Sequence, residues 1–70
     1  MANEICIRST STGRYLKPGG DWSALRSDAR KFLTTAEARN WCVQENLMSA
    51  EIVVVRDALV CMRVPVGAYV

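Results

Sequence analysis

The sequence predicts an α+β fold. An N-terminal β-hairpin, a short helical turn, one main α-helix over about 35–46 and a C-terminal β-hairpin form a single sheet, with the helix on one face. Three observations carry this. Residues Glu4 to Arg8 alternate, with Ile5 and Ile7 on one side and Glu4, Cys6 and Arg8 on the other, the period-2 pattern of a half-buried strand. Thr34-Thr35-Ala36-Glu37 fits a capping box, in which a Thr hydroxyl and a Glu carboxylate satisfy backbone donors at a helix start. Ile52-Val53-Val54-Val55 is β-branched throughout, which disfavours a helix and suits a strand.

The elements follow in order. Ser9-Thr10-Ser11-Thr12-Gly13 is a polar turn ending in a glycine that can take a positive φ. Arg14-Tyr15-Leu16-Lys17 returns as the second strand, and Pro18-Gly19-Gly20-Asp21 ends it. Trp22 to Leu25 reads equally as a short third strand or as an extended loop with Trp22 on the core. Ser27 to Phe32 reads as one helical turn capped by Ser27 or Asp28. In the main helix Ala38, Trp41 and Cys42 share a face. Leu33 and Ala38 take the staple positions, and Asn46 is placed to end the helix in the left-handed conformation, with Leu47 folding back towards Cys42. Asp57-Ala58 is the reversal before Leu59-Val60-Cys61-Met62-Arg63-Val64, Pro65 suits a strand end or an edge, and Gly67 to Val70 is a tail.

The 70 residues allow one domain, 1–70. A chain this short buries only about 60% of its unfolded surface, so its core is marginal without further help. Half the residues are apolar and 23% are charged, a globular balance. There is no histidine, which excludes His-based triads and His metal ligands. Cys6, Cys42 and Cys61 lie far apart in sequence, without the C-x₂₋₄-C spacing that aims two thiolates at one ion. They read as reduced thiols that mostly fill core space. Gly19-Gly20 has no phosphate-loop context, and the carboxylates show no paired spacing. No catalytic, cofactor-binding or metal-binding residue is therefore expected. Met1-Ala2-Asn3-Glu4 lacks a signal-peptide pattern and no apolar run reaches spanning length, so the expectation is a cytoplasmic protein with no membrane segment.

Thr12-Gly13-Arg14-Tyr15-Leu16, then Trp22, then Asp28 to Ala38 resembles a group of small uncharacterised bacterial and phage proteins. Their shared layout is TGRYL, a Trp, AR-x-F-x-T-x-x-EA and a Val-rich strand. The resemblance covers roughly Ile5 to Asp57; it implies a fold and a phage or prophage origin, and no activity. Arg30 to Trp41 is also similar to the strand-to-helix junction of AP2-like arm-binding domains of phage integrases, which lay a three-stranded sheet in the DNA major groove. That similarity implies Arg14, Lys17 and Arg26 on a DNA-facing sheet. The chain departs from those domains in carrying two apolar strands after the helix.

Charge is uneven. Residues 1–40 hold seven basic groups against four acidic, a net +3, and residues 41–70 hold two against three, a net −1. Arg14, Lys17, Arg26, Arg30 and Lys31 are candidate nucleic-acid contacts, and Trp22 is a candidate exposed aromatic beside them. Trp41 reads as a core anchor. The apolar second half says more: eleven of the sixteen residues from Glu51 to Val66 are apolar, and they fall on both strand faces. One helix covers only one face of a small sheet. The expected cover for the other is the N-terminal strands, the tail or a second copy. The expectation is therefore a non-enzymatic interaction module, a homodimer or a binder of a protein partner, using Val53, Val55, Val60, Met62 and Val64. The alternative is an accessory nucleic-acid-binding protein.

Overall fold

The computed structural model describes residues 4–57 and 59–66. The chain runs through β1 (Glu4–Ser9), β2 (Tyr15–Leu16), β3 (Trp22–Ser23), a 3-10 turn (Arg26–Asp28), α1 (Thr35–Gln44), β4 (Ala50–Arg56) and β5 (Leu59–Pro65). Among the described residues the strands form one antiparallel sheet in the order β3-β2-β1-β4-β5. The fold is thus mixed α+β, with one α-helix and five strands.

β1 lies at the centre because it can be buried on both sides. Its long partner is β4, in register from Glu4 opposite Val55 to Ser9 opposite Ala50. On its other side it shares two neighbours: Tyr15 of β2 opposes Arg8, and Phe32 bridges to Ile5, its amide donating to the Ile5 carbonyl at 2.8 Å. Trp22–Ser23 is a strand and not a loop, with Leu16 opposite Trp22. The Pro18–Gly20 segment turns β2 into β3, the Lys17 amide donating to the Asp21 carbonyl at 2.7 Å. The second strand is shorter than expected, two residues in place of four.

The larger core cluster brings Ala38 and Cys42 of α1 against Ile5, Ile7, Leu16, Phe32, Ala50, Ile52 and Val66. Small residues at 38 and 42 let the helix backbone approach the sheet closely. Thr34 caps α1 as expected, its hydroxyl accepting from the Glu37 amide at 3.0 Å. The return arm differs: the Glu37 carboxylate accepts from the Leu33 amide at 3.3 Å, one residue further out. Leu33 is 87% exposed, so the expected staple with Ala38 does not form. The helix stops two residues early, at Gln44, with Glu45 as its C-cap. Asn46 takes φ 57°, and the Leu47 amide donates to the Cys42 carbonyl at 2.8 Å, closing the end as the sequence predicts. Thr34→Ala is expected to cost about 1 kcal/mol, read as a lower urea midpoint with an unchanged slope.

The 3-10 turn corrects two expectations. It covers Arg26–Asp28, and its N-cap is Leu25 with no side-chain cap bond, so neither Ser27 nor Asp28 caps it. Asp28 instead accepts from the Ser23 hydroxyl at 2.9 Å. The turn also brings Ala29 onto the second face of the sheet, where Ala29, Cys6, Val53 and Val55 form a separate cluster flanked by Tyr15 and Val60. This cluster takes no residue from α1. Val53 is 0% and Val55 2% exposed, and Cys6 is equally hidden. The reading of β1 as half-buried, and of Val53 and Val55 as a face left for a partner, is therefore corrected. Of the covers the sequence left open, it chose a second copy or a partner, whereas the segment around Ala29, from the chain's own N-terminal half, packs on these residues.

β4 and β5 pair from Glu51 opposite Pro65 to Arg56 opposite Leu59, with a register shift between Val54 and Val55. Met62 opposes Val54 and Val60 opposes Val55, so Cys61 is the extra residue of a β-bulge. Arg56 pairs with Leu59. Asp57 takes φ 53°, while Ala58 and the tail from Gly67 lie outside the described residues.

Candidate functional site

The apolar set expected to meet a partner divides on folding. Val53 and Val55 are inside the chain's own core, Val60 and Val64 are half-buried, and Met62 is 53% exposed. Leu59, 71% exposed at the start of β5, belongs with Met62 and was missed, because in sequence it is one more apolar residue in an apolar run. Five of the seven β5 positions are exposed. β5 is an edge strand.

The five basic candidates also divide. Arg30 lies over the Phe32 ring at 4.7 Å. Lys31 donates from Nζ to the carbonyls of Ala29 at 3.1 Å and Arg26 at 3.4 Å, tying its ammonium to the 3-10 turn. Arg26 sits in that turn, and Lys17 is half-buried beyond the end of β2. Arg14 stands apart, exposed at the end of the β1–β2 turn. The structure brings it together with Trp22. Both line a cleft of about 510 Å³ with Ser9, Ser11, Thr12 and Leu47.

The local chemistry of the turn holds that cleft in shape. Gly13 takes φ +75°, and a Cβ there would lie 3.2 Å from the Arg8 guanidinium. Arg8 is in turn fixed to Glu51 at 2.8 Å. The Gly13 amide donates to the Ser9 carbonyl at 2.9 Å, and the Ser9 amide to the Arg14 carbonyl at 2.8 Å. Ser9 Oγ accepts from the Thr12 amide at 3.3 Å, and Thr12 Oγ1 from the Arg14 amide at 3.2 Å. The Thr10 amide reaches the Ser49 carbonyl at 3.0 Å, tying the turn to the chain beside Leu47. The Ser-Thr-Ser-Thr run is legible in sequence as a turn; its meeting with Leu47 is not. Trp41 is half-buried, packs on the main core and lines a second groove of about 440 Å³ between Arg30, Phe32 and Gln44.

The thiols differ in environment. Burial pushes the Cys42 thiol from 9.0 up to about 11. Burial also raises Cys6, with the charges of Lys31 and Arg26 pulling it partly back and Glu4 adding to the rise. Cys61 is exposed, its thiol donating weakly to the Leu59 carbonyl at 3.6 Å. One thiol per folded chain, Cys61, is therefore expected to react promptly with an aromatic disulfide reagent, and all three in denaturant; prompt reaction of two in the folded state would contradict this burial. The raised pKa also sets an alkaline limit. The unfolded chain releases the Cys42 proton from pH 9, while the folded chain keeps it to about 11, so this contribution is complete below 9 and lost as pH rises through 11. Melting temperature is expected to fall over that window, and less steeply in Cys42→Ala.

Among the described residues no three Cys, Asp or Glu side chains converge as a metal site requires, and no helix is long and apolar enough to cross a membrane. Compared with known proteins, the chain matches no protein-family model, and neither a curated protein nor a solved structure is similar to it.

Proposed function

We propose that the protein is a small non-enzymatic interaction module that self-associates through its apolar C-terminal hairpin, with the helix on one face of the single sheet. The observation that supports this is the exposure of Leu59, 71%, and Met62, 53%, on the outermost strand of that hairpin. Fully burying a side chain of this kind contributes about 1.5–3 kcal/mol, and a domain of this size has a marginal core of its own. Val54, opposite Met62 and half-buried, extends the patch, and Val64, packed with it on the main core, borders it; Val60 packs on the second cluster, on the other face. Val53 and Val55 act from beneath as its support.

Side chains are the expected glue. The bulge at Cys61, the charge of Arg63 and the missing donor of Pro65 all interrupt a continuous backbone ladder along β5. The opposite edge, β3, is two residues long, so it offers little template for further copies and association closes at two. The non-enzymatic reading is supported by the lack of histidine and by the raised Cys6 and Cys42 thiols, which disfavour a nucleophilic thiolate. A nucleic-acid accessory using Arg14, Lys17, Arg26, Arg30 and Lys31 as one surface has less support, since Arg30 and Lys31 are engaged within the chain.

Sedimentation equilibrium tests the reading. At micromolar concentration the expected mass is twice that of the 7.8 kDa chain. A single-chain mass at every concentration up to the millimolar range would overturn it.

A further inference from the structure

The cleft at the other end of the sheet from β5 has a different chemistry from the hairpin. It is lined by the apolar Trp22 and Leu47 and by the polar Ser9, Ser11, Thr12 and Arg14; Ser9 is buried, its hydroxyl bonded to that of Ser11 at 3.0 Å, while Ser11, Thr12 and Arg14 are exposed. None of these six lining residues is acidic. The Arg14 guanidinium makes no ion pair or hydrogen bond among the described residues, whereas Arg8 is tied to Glu51 and Lys31 to backbone carbonyls. The turn is fixed before any ligand arrives, by its backbone bonds and the Thr10–Ser49 tie. The volume, about 510 Å³, falls in the range of small-molecule sites, about 300–1,000 Å³.

We infer that this cleft binds a nucleotide unit, its base against Trp22 and Leu47 and its phosphate on Arg14 and the exposed Ser11 and Thr12. The pairing follows from the two halves of the ligand. A planar base has a π-face that stacks on an indole whatever its sequence identity, and a phosphate takes charge-assisted bonds from a guanidinium fork and neutral ones from hydroxyls. Trp22 is held in place by the main core behind it, so the platform does not have to be ordered on binding. The inference is independent of self-association, because β3 and β5 are opposite edges of the sheet.

The test uses the full chain labelled with ¹⁵N at low salt, titrated with adenosine monophosphate. Saturable shifts are expected at the Trp22 indole N–H and the Gly13 and Thr12 amides, with the Trp41 indole unmoved. Arg14→Ala, exposed and therefore expected to fold normally, should weaken binding about tenfold. Trp22→Phe should weaken it less than Trp22→Ala, and the fold of both is checked in the same spectra. A short oligothymidylate identifies the source: tighter binding than the monophosphate assigns a single strand, and weaker binding assigns a free nucleotide. The inference is overturned if the Trp22 indole stays still at millimolar monophosphate or if Arg14→Ala binds as the parent does. It is also overturned if phenylacetate shifts the same signals at equal affinity, since the cleft would then read any apolar anion.

Discussion

A chain carrying Val55→Asp is expected to be unfolded at neutral pH and not to be a folded monomer. Val55 is 2% exposed, beside Cys6, Val53 and Ala29 in the second core cluster. Its cross-strand neighbours are Glu4 and Val60, so a carboxylate there would meet an apolar residue on one side and a like charge on the other. Burying an unpaired carboxylate costs several kcal/mol unless it takes up a proton. A domain of this size holds about 4–10 kcal/mol in all, so the loss is of the same order as the whole. The sign of the pH dependence separates this cause from simple misfit. The aspartate's folded pKa would be raised above its unfolded value of about 3.9, so the penalty stands above the folded pKa and is relieved as pH falls through it. Some native circular dichroism should therefore return between about pH 5 and 4. Val55→Thr, which keeps the shape, should stay folded at neutral pH. A folded monomer from Val55→Asp at pH 7 would mean that the residue faces a partner and that the segment around Ala29 does not cover it.

That contrast marks where sequence reasoning reaches and where it stops. The start of α1 is written locally: Thr34 and Glu37 lie three apart, and both act within one turn of the helix. Asn46 and Leu47 close the other end by the same short-range logic. The paired Val-rich and Leu59-to-Val64 strands follow from residue type. The cover over Val53 and Val55 is different in kind. It comes from Ala29, more than twenty residues away, held there by a 3-10 turn too short to show a period. The meeting of Arg14 and Trp22 likewise needs three strands in register, two of them only two residues long. Alternation over two residues has no pattern to read. Hence the sequence names Arg14 and Trp22 separately, and only the folded chain sets them in one cleft with Leu47.

The paired substitution Leu59→Lys with Met62→Lys should do the opposite of Val55→Asp: leave the chain folded and separate the copies. Both positions are more than half exposed, and surface changes of this kind usually move stability by no more than about 0.5 kcal/mol, with lysine's weaker strand preference adding a few tenths on an edge. Association is affected far more. In a two-fold interface each residue is counted twice, so two lost apolar anchors remove four buried side chains and set four like charges across the contact. Even at about 1 kcal/mol for each side chain, below the range for full burial, the dissociation constant rises by about three orders of magnitude. The added charges increase this at low salt and less at 1 M, where screening shortens their reach to about 3 Å. Sedimentation of the double variant should thus give one chain mass where the parent gives two, with unchanged near-ultraviolet dichroism from Trp22 and Trp41. An unfolded double variant would place Leu59 and Met62 in the core, against their exposure, and a folded variant that still pairs would move the contact off β5. Cys61→Ser, between the two substituted positions, is the control: it removes the exposed thiol while leaving both apolar anchors, so it should pair as the parent does.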